Sequence, residues 1–224
     1  LDPARDYKRV RDGDQGPNTG GMGSFSPVPG VPQGFVERVR REVFEPTLRE
    51  MDRRGARFQG VLYAGIMADF ARDRYWVLEF NARFGDPETQ ALMPRIDGDI
   101  YPWFEACAKG DLSGLPPSVP FGSDAAVYVV GAARGYPESP EKGKVIQGLD
   151  ALPARSPEGY FCAGVAASGA SGLLTSGGRV FGALGLAPRL DDARSQAYTR
   201  LKQVSFEGMH FRTDIAGTGS GGQR

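Results

Sequence analysis

Two apolar stretches that flank a short charged turn constrain the fold of this chain more than any other feature. Residues 61–70 and 75–80 are rich in aliphatic, aromatic and β-branched side chains, and residues 71–74 between them carry three charges. β-Branched and aromatic residues favour strands, and a connection this short joins antiparallel neighbours. The pattern therefore predicts an antiparallel hairpin.

Helical spacing on both sides of this hairpin predicts an α+β fold. Apolar residues recur at helical intervals over residues 32–54, where Pro46 is expected to interrupt the helix because it removes a backbone donor. Further helical patterns cover residues 88–95 and 99–109. Residues 13–34 are dense in Gly, Pro, Asn and Ser, so we expect a long loop there.

The second half of the chain predicts a small mixed β domain covered by one helix. At 224 residues the chain is long enough for one large domain or two small ones. A Pro- and Gly-rich stretch at 114–123 is the expected linker, which gives a first domain over 1–113, a β-rich domain over 124–216 and a flexible tail over 217–224. The predicted strands are 125–133, 161–168 and 179–186, and the face of the covering helix is formed by Leu190, Ala193, Ala197, Leu201 and Val204.

Composition excludes several classes of protein. The chain has 27 basic and 27 acidic residues, a formal net charge of +0, which argues against a long nucleic-acid footprint. No apolar run is long enough for a transmembrane helix. Cys107 and Cys162 form no CxxC pair, so neither a disulfide framework nor a zinc site is indicated and a cytoplasmic location is expected. Because Leu1 is not an initiator Met, we also expect that a longer protein was cut or only partly recovered.

The most informative polar residues are Glu79, Asn81 and Arg83, at the end of the second predicted strand. Strand alternation places all three on one face. A carboxylate and an amide oxygen are hard ligands that suit Mg²⁺, and a guanidinium can neutralise a phosphate during transfer. The alternative from spacing alone is a half-exposed strand whose polar face meets solvent.

Two loops carry further candidate residues, and each has a plain structural alternative. Residues 16–23 contain four glycines, which let backbone amides approach an anion, although such a stretch is more often a flexible connector. Residues 85–90 place Asp86 and Glu88 beside a proline at a predicted helix start. They could cap the helix or orient an amine, and their spacing does not decide between the two.

Four blocks of sequence, taken together, resemble the phosphoribosylamine–glycine ligase family of the ATP-grasp superfamily. In chain order they read DYKR at 6–9, GDQGPNTGGMG at 13–23, GVLYAG at 60–65 and EFNARFGDPETQ at 79–90. The likeness continues through SGGRV at 176–180 and RTDI at 212–215 and covers essentially the whole chain. It implies that residues 1–113 form the later part of an ATP-grasp fold.

The resemblance implies ATP-dependent joining of glycine to 5-phosphoribosylamine in purine synthesis, through a glycyl phosphate, with Mg²⁺ or Mn²⁺ as cofactor. By match to the family motif, Glu79 and Asn81 would hold the metal and Arg83 would stabilise phosphoryl oxygens during catalysis. Partners would be small molecules, with no nucleic acid or membrane, and the protein a monomer or weak dimer. The residues expected to contact substrates are Asp6, Lys8, Asn18, Thr19, Gly20, Gly21, Met22, Gly23, Asp86 and Glu88.

The chain departs from the family pattern because the lysines and glycine-rich flap that hold the nucleotide are not in this sequence. We therefore expect the isolated chain to be inactive in turnover. Two alternatives stay open at this point. One is a folded fragment that at most binds a sugar phosphate, and the other is a different ATP-grasp carboxylate–amine ligase or carboxylase.

Overall fold

The computed structural model describes residues 1–149, 159–169 and 172–217. It is an α+β fold with antiparallel sheets, as the sequence predicts. No helix within these described ranges is both long and apolar enough to cross a membrane. The predicted tail lies outside the described residues except for its first residue, Gly217.

Eleven strands and five α-helices are found in the described residues. The strands are β1 (Arg5–Asp6), β2 (Arg9–Arg11), β3 (Gln15–Asn18), β4 (Gly23–Ser26), β5 (Tyr63–Asp69), β6 (Arg74–Asn81), β7 (Ala125–Ala132), β8 (Tyr160–Cys162), β9 (Val165–Ala167), β10 (Leu173–Thr175) and β11 (Arg179–Ala187). The helices are α1 (Phe35–Val39), α2 (Glu45–Arg53), α3 (Glu88–Leu92), α4 (Tyr101–Lys109) and α5 (Leu190–Leu201).

The main core lies on a five-stranded sheet with the order β1-β4-β7-β11-β8. All of its pairs are antiparallel, and the central strands β7 and β11 are almost completely buried. Helix α5 packs on this sheet through Ala193, Ala197 and Leu201, each 0% exposed. The close approach requires Gly185, since a Cβ there would lie 1.8 Å from the Ala193 carbonyl oxygen.

The predicted long loop over residues 13–34 is wrong in part, because it contains β3 and β4. Strand β4 pairs with β1 on one side and β7 on the other, and all four of its residues are buried. Its Gly and Ser content gives no strand signal, so tertiary pairing overrides local propensity here. The sheet therefore includes strands from both sides of the predicted linker, and the division into two domains stays a prediction.

The helix predicted over 32–54 begins at Phe35 and ends at Arg53. It continues through Pro46, and a π-helical turn at Arg40–Phe44 lies just before that proline. Proline has no N–H to donate within a helix, and a locally widened turn is one way to continue past the missing bond. The strand predicted over 161–168 is instead split into β8 and β9, which belong to different sheets.

The predicted hairpin is confirmed as strands β5 and β6. They form a two-stranded sheet in which Tyr63 is opposite Asn81 and Gly65 is opposite Glu79, with an irregularity after Gly65. The hairpin ends beside the polar loop that leads into α3. Its position brings the last residues of β6 close to the N-terminal segment that carries Lys8.

Candidate active site

A cluster of charged residues joins three segments that are far apart in sequence. Lys8 Nζ lies 2.7 Å from Asp6 Oδ2 and 3.9 Å from Glu79 Oε1 at the end of β6. Glu88, in the first turn of α3, is only 4% exposed, and its Oε1 accepts a 2.7 Å hydrogen bond from the Tyr63 hydroxyl on β5. Two buried carboxylates therefore lie near a single ammonium group.

Asp6 has the most perturbed acidic group of this cluster. Its side chain is 8% exposed, and Oδ1 has no hydrogen-bond partner among the described residues. Burial, reinforced by the negative charge of Glu88, raises the pKa of Asp6 to about 6. Burial opposes the charge of Lys8, yet its contact with Asp6 keeps the Lys8 pKa above the usual value.

Tyr63 and Gly85 hold the Glu88 carboxylate in place. A Cβ at position 85 would lie 2.6 Å from Glu88 Oε2 and 2.9 Å from the Tyr63 ring, so glycine is required there. Burial and the neighbouring charge of Glu88 both raise the pKa of Tyr63, which therefore stays protonated and donates its hydroxyl hydrogen. Tyr63 lies in the GVLYAG block, but nothing in its spacing identified it as a site residue.

The glycine-rich loop folds directly over this cluster. Thr19 donates from both its backbone N–H and its hydroxyl to the Lys8 carbonyl, and its hydroxyl accepts from Gly21 N. Gly21 has a φ of +115°, and a Cβ there would meet Asp6 Oδ1 at 2.6 Å and Pro87 Cδ at 2.3 Å. The loop is thus a fitted part of the site rather than a flexible connector.

The other predicted loop residues take different positions. Asn18 is exposed and ends β3 opposite Arg9. The Met22 side chain is 0% exposed and packs in an apolar cluster with Val10. Gly23 begins β4 opposite Val129. These three residues therefore lie at the ends of the loop, while Thr19 contacts Lys8 and Gly21 lies beside Asp6.

Arg179 and Tyr136, which sequence reasoning did not single out as site residues, fix this loop from the C-terminal side. Arg179 Nη1 donates to the Gly20 carbonyl at 2.9 Å and to the Asp86 carbonyl at 3.0 Å. It also lies 3.1 Å from Asp86 Oδ1, and the Tyr136 hydroxyl accepts from Gly20 N at 2.8 Å. The SGGRV block supplied the only signal for Arg179, since its role depends on contacts across the chain.

Glu79, Asn81 and Arg83 are less closely associated than strand alternation suggests. Glu79 and Asn81 lie two residues apart on β6, whereas Arg83 lies beyond the strand end, is exposed and donates to the Phe84 carbonyl at 2.8 Å. No hydrogen bond or ion pair within the described ranges joins the three side chains. Their convergence around one ligand stays a prediction.

The donor set at the end of β6 suits a metal ion that keeps some coordination positions for water and substrate. No group of three His, Cys, Asp or Glu side chains that could hold a metal occurs among the described residues. Glu79, whose side chain is 49% exposed, and Asn81 supply two hard oxygen donors. Mg²⁺ is commonly bound by one or two protein oxygens together with waters and substrate phosphates, and this pair suits that mode.

Two comparisons with known proteins agree on the family. Residues 1–89 match the model for the ATP-grasp (A) domain of phosphoribosylglycinamide synthetase, and residues 126–218 match the model for its C domain. The phosphoribosylamine–glycine ligase of Neisseria meningitidis is 44% identical over 213 residues, which are 95% of this chain and 49% of the relative. That of Streptomyces coelicolor is 42% identical over 223 residues, 99% of this chain and 53% of the relative.

The crystal structure of the Thermotoga maritima phosphoribosylamine–glycine ligase superposes with a TM-score of 0.80 at 39% sequence identity, covering 96% of this chain and 51% of that one. The chain spans about half the length of these relatives. Both of its matched domain models come from one family, and the structural match extends over nearly all of its residues. The chain therefore belongs to the phosphoribosylglycinamide synthetase family and carries part of an ATP-grasp fold.

Proposed function

We propose that this chain supplies the glycine- and amine-binding half of an ATP-dependent ligase that makes glycinamide ribonucleotide for purine synthesis. The glycine carboxylate attacks the γ-phosphorus of ATP, which gives glycyl phosphate and ADP. The amine of 5-phosphoribosylamine then attacks the acyl carbon, and phosphate leaves. The proposal is supported by the two family models and by the charged cluster around Asp6.

The single observation that carries this proposal is the charge balance of that cluster. Asp6 and Glu88 are buried carboxylates with one neighbouring ammonium group, and Asp6 Oδ1 has no hydrogen-bond partner among the described residues. A buried polar atom of this kind calls for a partner from a ligand. An amino group has N–H donors and positive charge, so both glycine and an amine substrate suit the site.

Asp6 is also suited to take a proton during the second step. A general base works best when its pKa lies near the operating pH, and the pKa of Asp6 is raised to about 6. We assign the proton released by the attacking amine to Asp6 Oδ1. The Glu88 carboxylate accepts from the Tyr63 hydroxyl and, buried beside Asp6, gives the site a second acidic group close to the substrate amine.

Glu79 and Asn81 are the residues that we propose hold Mg²⁺ or Mn²⁺, with ATP as co-substrate. A divalent cation would neutralise charge on the transferring phosphoryl group. Lys8 lies 3.9 Å from Glu79 and is placed to bind a carboxylate or phosphate oxygen beside it. Arg83 has most of its guanidinium donors available for phosphoryl oxygens, since the one hydrogen bond that it makes to the described residues goes to the Phe84 carbonyl.

The remaining parts of the proposal concern partners and location. The substrates are small molecules (ATP, glycine and 5-phosphoribosylamine), and neither nucleic acid nor a membrane takes part. We propose that the protein works in the cytoplasm as a monomer or weak dimer. Asp86, held by Arg179, would face the ribose of the amine substrate.

The test is a chimaera in which the N-terminal half of the Neisseria meningitidis relative precedes this chain at the matched position. Phosphate release is measured with ATP, Mg²⁺, glycine and 5-phosphoribosylamine, and each substrate is omitted in turn. We expect release that requires both glycine and the amine. A folded chimaera that releases phosphate equally well without glycine would contradict the proposal.

The chain alone provides a second measurement of the same proposal. We expect no turnover, because the chain spans about half of its relatives, but we expect binding of glycine and of ribose 5-phosphate by calorimetry. The test variant is Asp6→Asn, which keeps the shape of the side chain and removes its charge. Equal binding by this variant and the parent chain would remove Asp6 from the site.

A further inference from the structure

Residues 212–216, here called the C-terminal strap, lie against the back of the segment that carries Asp6 and Lys8. The ring of Tyr7, between these two residues, is buried at 4% exposure. Its hydroxyl accepts a 3.0 Å hydrogen bond from Ala216 N, and the guanidinium carbon of Arg212 lies 4.8 Å from its ring centroid. The strap thus holds Tyr7 from two directions.

Arg212 is the most deeply buried charged side chain of this region, at 1% exposure. Nε and Nη2 donate to the two carboxylate oxygens of Asp214 at 2.7 and 2.6 Å. Nη1 donates to Asp14 Oδ1 at 2.8 Å and to the Arg9 carbonyl at 3.1 Å. The planar fork therefore connects the strap to two points of the N-terminal segment, an arrangement that an ammonium cannot reproduce.

These contacts fix Lys8 through both of its neighbours. Tyr7 is held by the strap, and its backbone exchanges hydrogen bonds with the glycine-rich loop, to Gly23 O at 3.1 Å and from Met22 N at 2.8 Å. Arg9 is held through its carbonyl. The Lys8 carbonyl accepts hydrogen bonds from Thr19. Contacts to the backbone of Lys8 and of its two neighbours therefore fix the backbone position from which the Lys8 side chain extends.

We propose that Arg212 is a positioning residue for the candidate site: through Tyr7 and Arg9 it holds Asp6 and Lys8 on the face that meets Glu79 and Glu88. The RTDI block of residues 212–215 would then act on the site from behind, without touching a ligand. The assignment of a ligand to that site rests on the proposed function, whereas the positioning itself is a property of this chain alone.

Hydrogen exchange separates this role from general stabilisation. Loss of an ordinary buried ion pair lowers the stability of the whole domain, so it speeds exchange by one common factor at all amides that open through global unfolding. Loss of a positioning contact also increases local opening, which speeds exchange further at the amides near that contact. We therefore compare the amides of Tyr7 and Thr19 with those of strand β11.

The test variant is Arg212→Lys in the chain as given, with Arg95→Lys as matched control. Arg95 is also a buried guanidinium, with a side chain 4% exposed, but it donates to Asp124 O, Ser26 Oγ and Asp2 Oδ2, and the strap is not among its partners. In Arg212→Lys we expect exchange at Tyr7 and Thr19 to rise about tenfold more than in β11, from loss of charge-assisted hydrogen bonds. In Arg95→Lys we expect no such difference.

A second variant guards against failure of Arg212→Lys to fold. Tyr7→Phe keeps the ring and removes the oxygen that accepts from Ala216, and it should give the same local pattern to a smaller extent. A uniform rise in exchange in both variants, or no rise at Tyr7 and Thr19, would overturn the proposal. If Arg212→Lys does not fold, the local pattern in Tyr7→Phe is sufficient to support the proposal.

Ligand binding is measured in the same proteins. Where the parent chain binds glycine or ribose 5-phosphate, Arg212→Lys should weaken that binding about tenfold at a temperature where it stays folded, while Arg95→Lys should not. A parent chain that binds neither ligand contradicts the proposed function and leaves the exchange result to decide the positioning role. Unchanged affinity in Arg212→Lys contradicts the positioning role and leaves the proposed function intact.

Discussion

Asp6→Asn is expected to stabilise this chain at neutral pH while it removes ligand binding. The carboxylate is buried beside Glu88, and its Oδ1 lacks a hydrogen-bond partner among the described residues. The ionised form of Asp6 therefore lowers the free energy of unfolding. Asn has nearly the same shape and no charge. Loss of the ion pair to Lys8 should matter less, because the Lys8 side chain is 45% exposed.

The size and sign of this effect follow from linkage. The pKa of Asp6 rises from 3.8 to about 6 on folding, so between these pH values the folded chain binds a proton that the unfolded chain does not. The free energy of unfolding therefore falls as pH rises through this range. The whole change corresponds to about 3 kcal/mol, which is fully expressed above about pH 7.

Urea unfolding of both proteins at intervals from pH 4 to 7.5 measures this contribution. The difference in unfolding free energy, variant minus parent, should rise by about 2.4 kcal/mol over this range, which is most of the full change. Asp97→Asn is the matched control, because Asp97 is exposed and its carboxylate takes part in none of the hydrogen bonds or ion pairs found among the described residues. A difference for Asp6→Asn that stays constant across this pH range would refute the reasoning.

Three further predictions concern the same site. Glu79→Gln in the chimaera should lower phosphate release on the order of 10²-fold, because one proposed metal oxygen loses its charge, and unchanged turnover in saturating Mg²⁺ would remove that role. Arg83→Lys should also lower turnover markedly, since the planar fork is lost, and equal turnover would make Arg83 a surface cation. Gly21→Ala should destabilise the chain by about 3 kcal/mol or more in urea, because its Cβ would lie 2.3 Å from Pro87 Cδ at a φ of +115°. Gly30→Ala, at a φ of +79° with no atom within 4 Å, should cost only about 1 kcal/mol, and equal losses would contradict the steric argument.

Strong local signals allowed much of the fold to be predicted. The β5–β6 hairpin, helix α5 and strands β7 and β11 each carry a clear apolar period over many residues. Strand β4 could not be predicted, since its residues GSFS have weak strand propensity and become a strand by pairing between β1 and β7. The split of residues 161–168 into β8 and β9 likewise depends on partners elsewhere in the chain.

The candidate site shows the same division between local pattern and long-range contact. Asp6, Lys8 and Glu88 were identified by family resemblance, and the structure brings them into one charged cluster. Tyr63 and Arg179 were missed as site residues, because a lone tyrosine on a strand and a lone arginine near a glycine pair give no spacing signal. Their roles arise from contacts to Glu88, 25 residues away, and to Gly20, 159 residues away.

By itself, the sequence determined the family of this protein, its secondary structure where apolar periodicity is strong, and the chemical types of its candidate residues. Tertiary structure alone decided that Asp6 is buried beside Glu88 with an acceptor oxygen that has no hydrogen-bond partner among the described residues, and that residues near both ends of the chain contact its neighbours Tyr7 and Arg9. The physical reason is that pKa, burial and hydrogen bonding depend on neighbours in space, and a linear pattern specifies only neighbours along the chain.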